Sequence, residues 1–242
     1  MDTSTLQNQA GQRLDATYHP APNTAYLAIL GHGVTGNKDR PLIKGVAEEL
    51  ARLGIPALRF SFAGNGKSGG RFQDCTITTE TKDLSAILDQ VASPDRHIIY
   101  IGHSMGGAVG ALVAAQEPKR IQTLVSLAGM VDTADFFRRE FGDTTPDSGF
   151  MWDEPTCPLS QTAWDDATQT INTTLPSAAK VTQPWLLIHG TEDDVVPPAD
   201  SHAALKAATT KTKLVEYPGN DHSFSENSYP KIAQAIVNFI DA

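Results

Sequence analysis

A serine flanked by glycines, Gly102-His103-Ser104-Met105-Gly106, follows a short apolar run ending at Ile101 and opens a segment of helical periodicity. A turn that tight leaves no room for side chains at its flanks, so glycines let the backbone reverse and present the serine at the carboxyl end of a strand. The helix beginning there aims its free N–H groups and its dipole at negative charge developing on a bound carbonyl. A serine hydroxyl is a poor nucleophile until a nearby base takes its proton, and the base must itself be oriented by an acid. In a strand–turn–helix elbow of this kind the acid follows the serine in the chain and the histidine comes last.

His222, in Gly219-Asn220-Asp221-His222-Ser223-Phe224, is the candidate base, in a polar loop between an apolar run ending near Tyr217 and the final helical segment. Of the other histidines, His19, His97 and His202 lie at strand or helix positions and read as surface or packing residues. His32 and His189 each precede a glycine at a strand end and shape their turns, and His103 is expected to point away from Ser104. The acid belongs in the loop after the run Trp185 to Ile188, where Glu192, Asp193 and Asp194 stand in a row, and spacing does not choose among them. Asp132, after the preceding run, is a fourth candidate. An oxyanion needs two backbone N–H groups, one from the residue after the serine, Met105, and one from the loop Gly31-His32-Gly33-Val34-Thr35-Gly36, where Val34 is the choice.

Gly64-Asn65-Gly66-Lys67-Ser68-Gly69 looks like a phosphate-binding loop. A P-loop would need glycine where Ser61 stands, and no apolar helix opens directly after Gly69 to offer its N-terminus to a phosphate. The expected reading is a turn shaped by glycines. No paired-cysteine, H-E-x-x-H or acidic-loop spacing is present, so no metal and no cofactor are expected.

Short runs rich in Val, Ile and Leu must carry these residues: Tyr26 to Leu30, Ala57 to Phe60, His97 to Ile101, Thr123 to Leu127, Trp185 to Ile188 and Lys213 to Tyr217. Segments with apolar residues at three- and four-residue spacing alternate with them, over Pro41 to Leu53, Thr79 to Val91, Met105 to Ala115, Ala199 to Ala207 and Tyr229 to Ile240. That alternation predicts an α/β protein with a mostly parallel sheet covered on both faces by helices. Arg13 to His19 alternates sides, as an amphipathic edge strand does. From Met130 to Gln183 the pattern breaks into Gly, Pro, Thr and Asp with six aromatic rings. So long a segment is expected to be an inserted cap at about 130–183 in an otherwise single domain spanning 1–242. Trp152 and Trp164 are its candidate substrate-binding residues, forming a partly apolar wall over Ser104.

The 242 residues carry 19 Lys and Arg against 28 Asp and Glu, a net charge of -9 with no basic cluster, which excludes a nucleic-acid-tracking surface. Cys75 and Cys157 are too few for a disulfide framework and read as free thiols. Met1 to Leu14 is polar, without the apolar core of a signal peptide, and no apolar run approaches the roughly 18 residues of a membrane span. A cytoplasmic protein with a small-molecule partner is expected, and nothing in the chain speaks to its oligomeric state.

Taken together, His32-Gly33-Val34-Thr35-Gly36, Leu58-Arg59-Phe60-Ser61 with Gly64 through Ser68, the Ser104 pentapeptide, His189-Gly190 through Pro197, and His222 resemble the α/β-hydrolase superfamily over nearly the whole chain. The H-G-x-T-G start and the G-x-G-K-S loop are similar to those of the bacterial feruloyl (cinnamoyl) esterases. That resemblance implies metal-free carboxylesterase chemistry and a small cap inserted after the sixth strand. In that family the acid stands four residues after the histidine of an H-G-x-x-D pattern, which carried over selects Asp193. The chain departs from many relatives at Ser61, where they have Asp or Asn, and its cap lacks a visible match to the phenolic-binding residues. The resemblance implies a serine hydrolase that cleaves carboxylic esters through an acyl-enzyme. Thioesterases, peptidases and low-turnover, hydrolase-like ligand receptors share the fold.

Overall fold

The computed structural model describes residues 1–91 and 93–241. In chain order the strands are β1 (Ala16–His19), β2 (Tyr26–Gly31), β3 (Ala57–Phe60), β4 (His97–His103), β5 (Thr123–Leu127), β6 (Trp185–Gly190) and β7 (Thr212–Tyr217). The helices are α1 (Pro41–Arg52), α2 (Ile77–Val91), α3 (Met105–Gln116), α4 (Thr133–Phe141), α5 (Gln161–Asp165), α6 (Leu175–Ala178), α7 (Pro198–Ala207) and α8 (Tyr229–Ile240).

The strands form one sheet in the order β1-β3-β2-β4-β5-β6-β7. Only β1 runs antiparallel, pairing Ala16 with Phe60 and His19 with Ala57 at the edge. The central strands are apolar on both sides because successive side chains face opposite layers, and both layers are covered. Leu27, Ile29, Ile98 and Tyr100 join α2, α3 and the buried rings Phe136, Phe137 and Phe141 in one core. Ala28, Leu30, Ile99 and Ile101 join α1 and α8 in the other. Each fully buried aliphatic side chain there contributes about 1.5–3 kcal/mol over an exposed one.

Two strand ends extend further than the apolar runs alone indicate. β4 continues through Gly102 to His103, which pairs with Leu127, and β6 continues to Gly190, which pairs with Tyr217. The ladder therefore holds the residue just before the serine, and the start of the acidic loop, in rigid register. Between β5 and β6 the chain contributes no strand to the sheet among the described residues. It folds instead into α4, a 3-10 turn over Met151–Asp153, α5 continuing into a π-helical turn over Asp166–Ile171, and α6. No described helix is long and apolar enough to cross a membrane.

Candidate active site

Ser104 stands between β4 and α3 with φ 54° and ψ −120°, a conformation an L-residue adopts at a cost of about 1–3 kcal/mol. Its surroundings enforce it: the Ser104 N–H donates to the Leu127 carbonyl at 3.0 Å, and its own carbonyl accepts from Met130 N–H at 3.0 Å. A Cβ on Gly102 would lie 2.1 Å from the Gly106 carbonyl oxygen, so the reversal admits nothing larger than glycine there.

The loop after β2 closes over the serine. A Cβ on Gly33 would sit 2.8 Å from Ser104 Cβ and 3.2 Å from its Oγ. His32 fixes this loop, its Nδ1–H donating to the Gly33 carbonyl at 2.8 Å while Nε2 accepts from Phe62 N–H at 3.1 Å. Burial lowers the pKa of His32 to about 4, so the imidazole stays neutral and keeps both bonds. Among the described residues no protein acceptor outside a helix takes the N–H of Val34 or Met105.

Across the cleft, His222 Nδ1 lies 2.8 Å from Asp193 Oδ2. The other carboxylate oxygen, Oδ1, accepts from the N–H groups of Val195 at 3.0 Å and Val196 at 2.8 Å. Burial by itself would raise the Asp193 pKa. The hydrogen bonds from His189 and His222, the charge on His222 and the Val196 N–H outweigh it and hold the carboxyl well below the usual carboxylate range. His189 is fully buried beneath, accepting from Ser201 Oγ at 2.7 Å and donating through Nε2 to the Val196 carbonyl at 2.9 Å. That same Nε2 lies 3.2 Å from Asp193 Oδ2. The other acids are spent elsewhere: Glu192 and Asp194 are exposed, and Asp132 caps α4 by accepting from Asp135 N–H at 2.9 Å.

Ser104, His222, His103, Val34 and Trp152 line a single cleft of about 630 Å3. Trp164 does not reach it, and lies half-buried against the main core instead. His103 differs from the sequence expectation. It lines the cleft and packs on His222, because β4 continues through it and the His222 loop folds back over that strand end. Gly64 through Ser68 is a glycine-shaped turn closed by Gly64 N–H to the Gly69 carbonyl at 2.7 Å and by Ser68 Oγ to the Ser61 carbonyl at 2.7 Å. His32 and His189 shape their turns as the sequence indicates, whereas the tether from His103 to the His222 loop and the contact of His189 with Asp193 were not read from the sequence. The available signal was a histidine at or just past the ends of β2, β4 and β6, each beside a loop of the cleft.

A seven-stranded, mostly parallel sheet with helices on both faces and a serine elbow at its carboxyl edge defines a hydrolase of the α/β-hydrolase fold. Residues 60–242 match the prolyl oligopeptidase family, Peptidase S9, and the chain belongs to that family. It is similar to the structure of Est1E from Butyrivibrio proteoclasticus with ferulic acid bound, at 28% identity over 98% of this chain and 99% of that one, with a TM-score of 0.84. It is also similar to the mitochondrial palmitoyl-protein thioesterase ABHD10 of Bos taurus, 25% identical over 86% of this chain and 72% of that protein. The structure of mouse ABHD10, 22% identical over 95% of this chain and 94% of that one with a TM-score of 0.79, shares the fold.

Proposed function

We propose that this hydrolase cleaves carboxylic esters of small molecules through an acyl-enzyme on Ser104, with His222 as general base and Asp193 orienting it. The observation that carries the reading is the 2.8 Å bond from His222 Nδ1 to the buried Asp193, made by a histidine that lines the same cleft as the strained Ser104. With Nδ1 engaged, Nε2 is the nitrogen left to take the Ser104 proton. Oγ attacks the carbonyl carbon, and the oxygen turns toward the N–H groups of Val34 and Met105 as it gains charge. His222 then returns the proton to the departing alcohol, and water repeats the sequence to release the acid. The 130–183 segment acts as a cap on a one-domain hydrolase, with Trp152 over the bound substrate.

The test is labelling by a fluorophosphonate probe together with turnover of p-nitrophenyl esters. Ser104→Ala is expected to lose the label and about 10⁶ in kcat. Retention of more than a few per cent of activity removes Ser104 from its role, and one equivalent of nitrophenol followed by silence in the unaltered protein favours a ligand-trapping receptor. A thioester substrate is the second reading, favoured by the similarity to the palmitoyl-protein thioesterases over most of the chain. Matched oxygen esters, thioesters and aminoacyl amides separate esterase, thioesterase and peptidase by their kcat/KM values.

A further inference from the structure

A second, narrow cavity adjoins the cleft and shares Val34 and Thr35 with it. It runs between the first turn of α2 and the 130–183 segment, and its volume of about 20 Å3 holds little more than a single water. Ile77, Met105, Phe137, Met151 and Pro158 give it apolar walls. Thr35, Asn65, Cys75 and Thr76 also line it, and its one charged lining residue is Glu80, only 1% exposed, whose Oε2 has no hydrogen-bond partner among the described residues.

A carboxyl oxygen buried without a hydrogen bond forfeits its hydration, so buried carboxyl oxygens are normally paired. Burial first, then the neighbouring carboxylates Asp83 and Asp166, push the Glu80 pKa well above the usual carboxylate range. The slot begins beside the N–H groups proposed to hold the substrate oxygen, so it lies where an acyl chain on Ser104 can enter. Met105 and Met151 flank it, and unbranched thioether side chains swing aside more readily than branched ones. A hydroxyl on the acyl chain complements a carboxyl in either protonation state, whereas an ammonium would have to be stripped of water along apolar walls.

We propose that the slot is an acyl-chain subsite and that Glu80 selects chains bearing a hydroxyl group, which hydrogen-bonds its carboxyl. This rests on Ser104 being the acylated residue. The test compares kcat/KM for p-nitrophenyl hexanoate with 6-hydroxyhexanoate, and octanoate with 8-hydroxyoctanoate, in the unaltered enzyme, Glu80→Gln and Glu80→Leu. At one of the two lengths the unaltered enzyme is expected to prefer the hydroxylated ester about tenfold or more, since a site built around a polar group discriminates strongly against a chain that leaves it unpaired. Glu80→Gln, which still donates and accepts, is expected to keep that preference within about threefold, and Glu80→Leu to reverse it.

A hydroxyl-to-plain ratio unchanged in Glu80→Leu overturns the proposal. So does an unaltered enzyme that prefers the plain chain at both lengths, a result that needs no variant to fold. If none of the four esters turns over, the esterase reading fails on its own. The subsite is then read by thermal shift, where 1,8-octanediol raising Tm more than 1-octanol supports it and equal shifts overturn it.

Discussion

The imidazole of His103 lies 4.6 Å from that of His222, and its Nε2–H donates to the His222 carbonyl at 2.9 Å, joining two residues 119 positions apart. Burial, and next the charge on His222, lower the pKa of His103 to about 3, so it stays neutral and keeps the proton that makes this bond. It therefore ties the His222 loop to the elbow that carries Ser104. His103→Phe keeps the ring contact and removes the donor. We expect kcat to fall about ten- to a hundredfold from the misplaced base, with KM within about twofold and the pH–rate profile unmoved in shape. His103→Asn, which restores an N–H, should recover part of the loss. A Phe variant with unaltered kcat would show the tether to be dispensable.

Asp193 and Asp194 are adjacent, yet only Asp193 reaches His222. Asp193→Asn is expected to lower kcat roughly 10⁴-fold by favouring the wrong imidazole tautomer. Asp194→Asn, in an exposed carboxylate, and Asp132→Asn, which preserves the α4 cap, should each change it less than about tenfold. Stopped-flow kinetics on all three variants decides the matter, and comparable losses at two positions would unseat Asp193.

The core strands were legible because a parallel sheet covered on both faces demands uninterrupted apolar runs, as at Tyr26 to Leu30 and His97 to Ile101. The elbow was legible because its glycine requirement is local: Gly102 and Gly106 meet within one turn. Which acid faces the histidine was not legible in the residues alone, since the direction of Asp193 is set by Val195 and Val196 N–H groups that exist only once the loop has folded. The same holds for His103 and Glu80, whose partners or lack of them arise from contacts across the fold. Aromatic content marked the segment between β5 and β6 but could not separate Trp152, at the cleft, from Trp164, on the core. Both roles use the same side chain.

Glu80 gives stability a pH dependence of definite sign. In the folded chain its pKa lies well above 4.5, through burial and then the Asp83 and Asp166 carboxylates, while the unfolded chain titrates near the ordinary value. Above about pH 4.5 the folded state therefore holds a proton that the unfolded state has released, and stability falls as pH rises, by up to about 1.4 kcal/mol per unit. Glu80→Gln removes this term and leaves those of His32 and His103, of opposite sign, common to both proteins. The Tm of Glu80→Gln minus that of the unaltered protein is expected to increase as pH rises above about 4.5 in calorimetry. A difference independent of pH would mean that Glu80 is ionised in the folded chain.

Trp152 and Trp164 should part ways on replacement. Trp152 is 45% exposed at φ 50°, held by its Nε1–H donating to Glu140 Oε2 at 3.0 Å and by edge-on packing with Phe141 at 4.9 Å, with part of its surface turned to the cleft. Trp152→Ala is expected to raise KM for aryl and medium-chain esters several-fold, because an apolar wall is lost where such groups would bind, and to leave acetyl esters within about twofold. Its exposure means that little buried area is lost, so Tm should move only slightly. Trp164 is half-buried against the core and lies off the cleft, so Trp164→Ala should remove about 2 kcal/mol of packing. That corresponds to a fall in Tm of roughly 4–8 °C for a chain of this size, with the ranking of ester substrates unchanged. A substrate-dependent KM change at Trp164, or a uniform loss with lowered Tm at Trp152, would exchange the two roles.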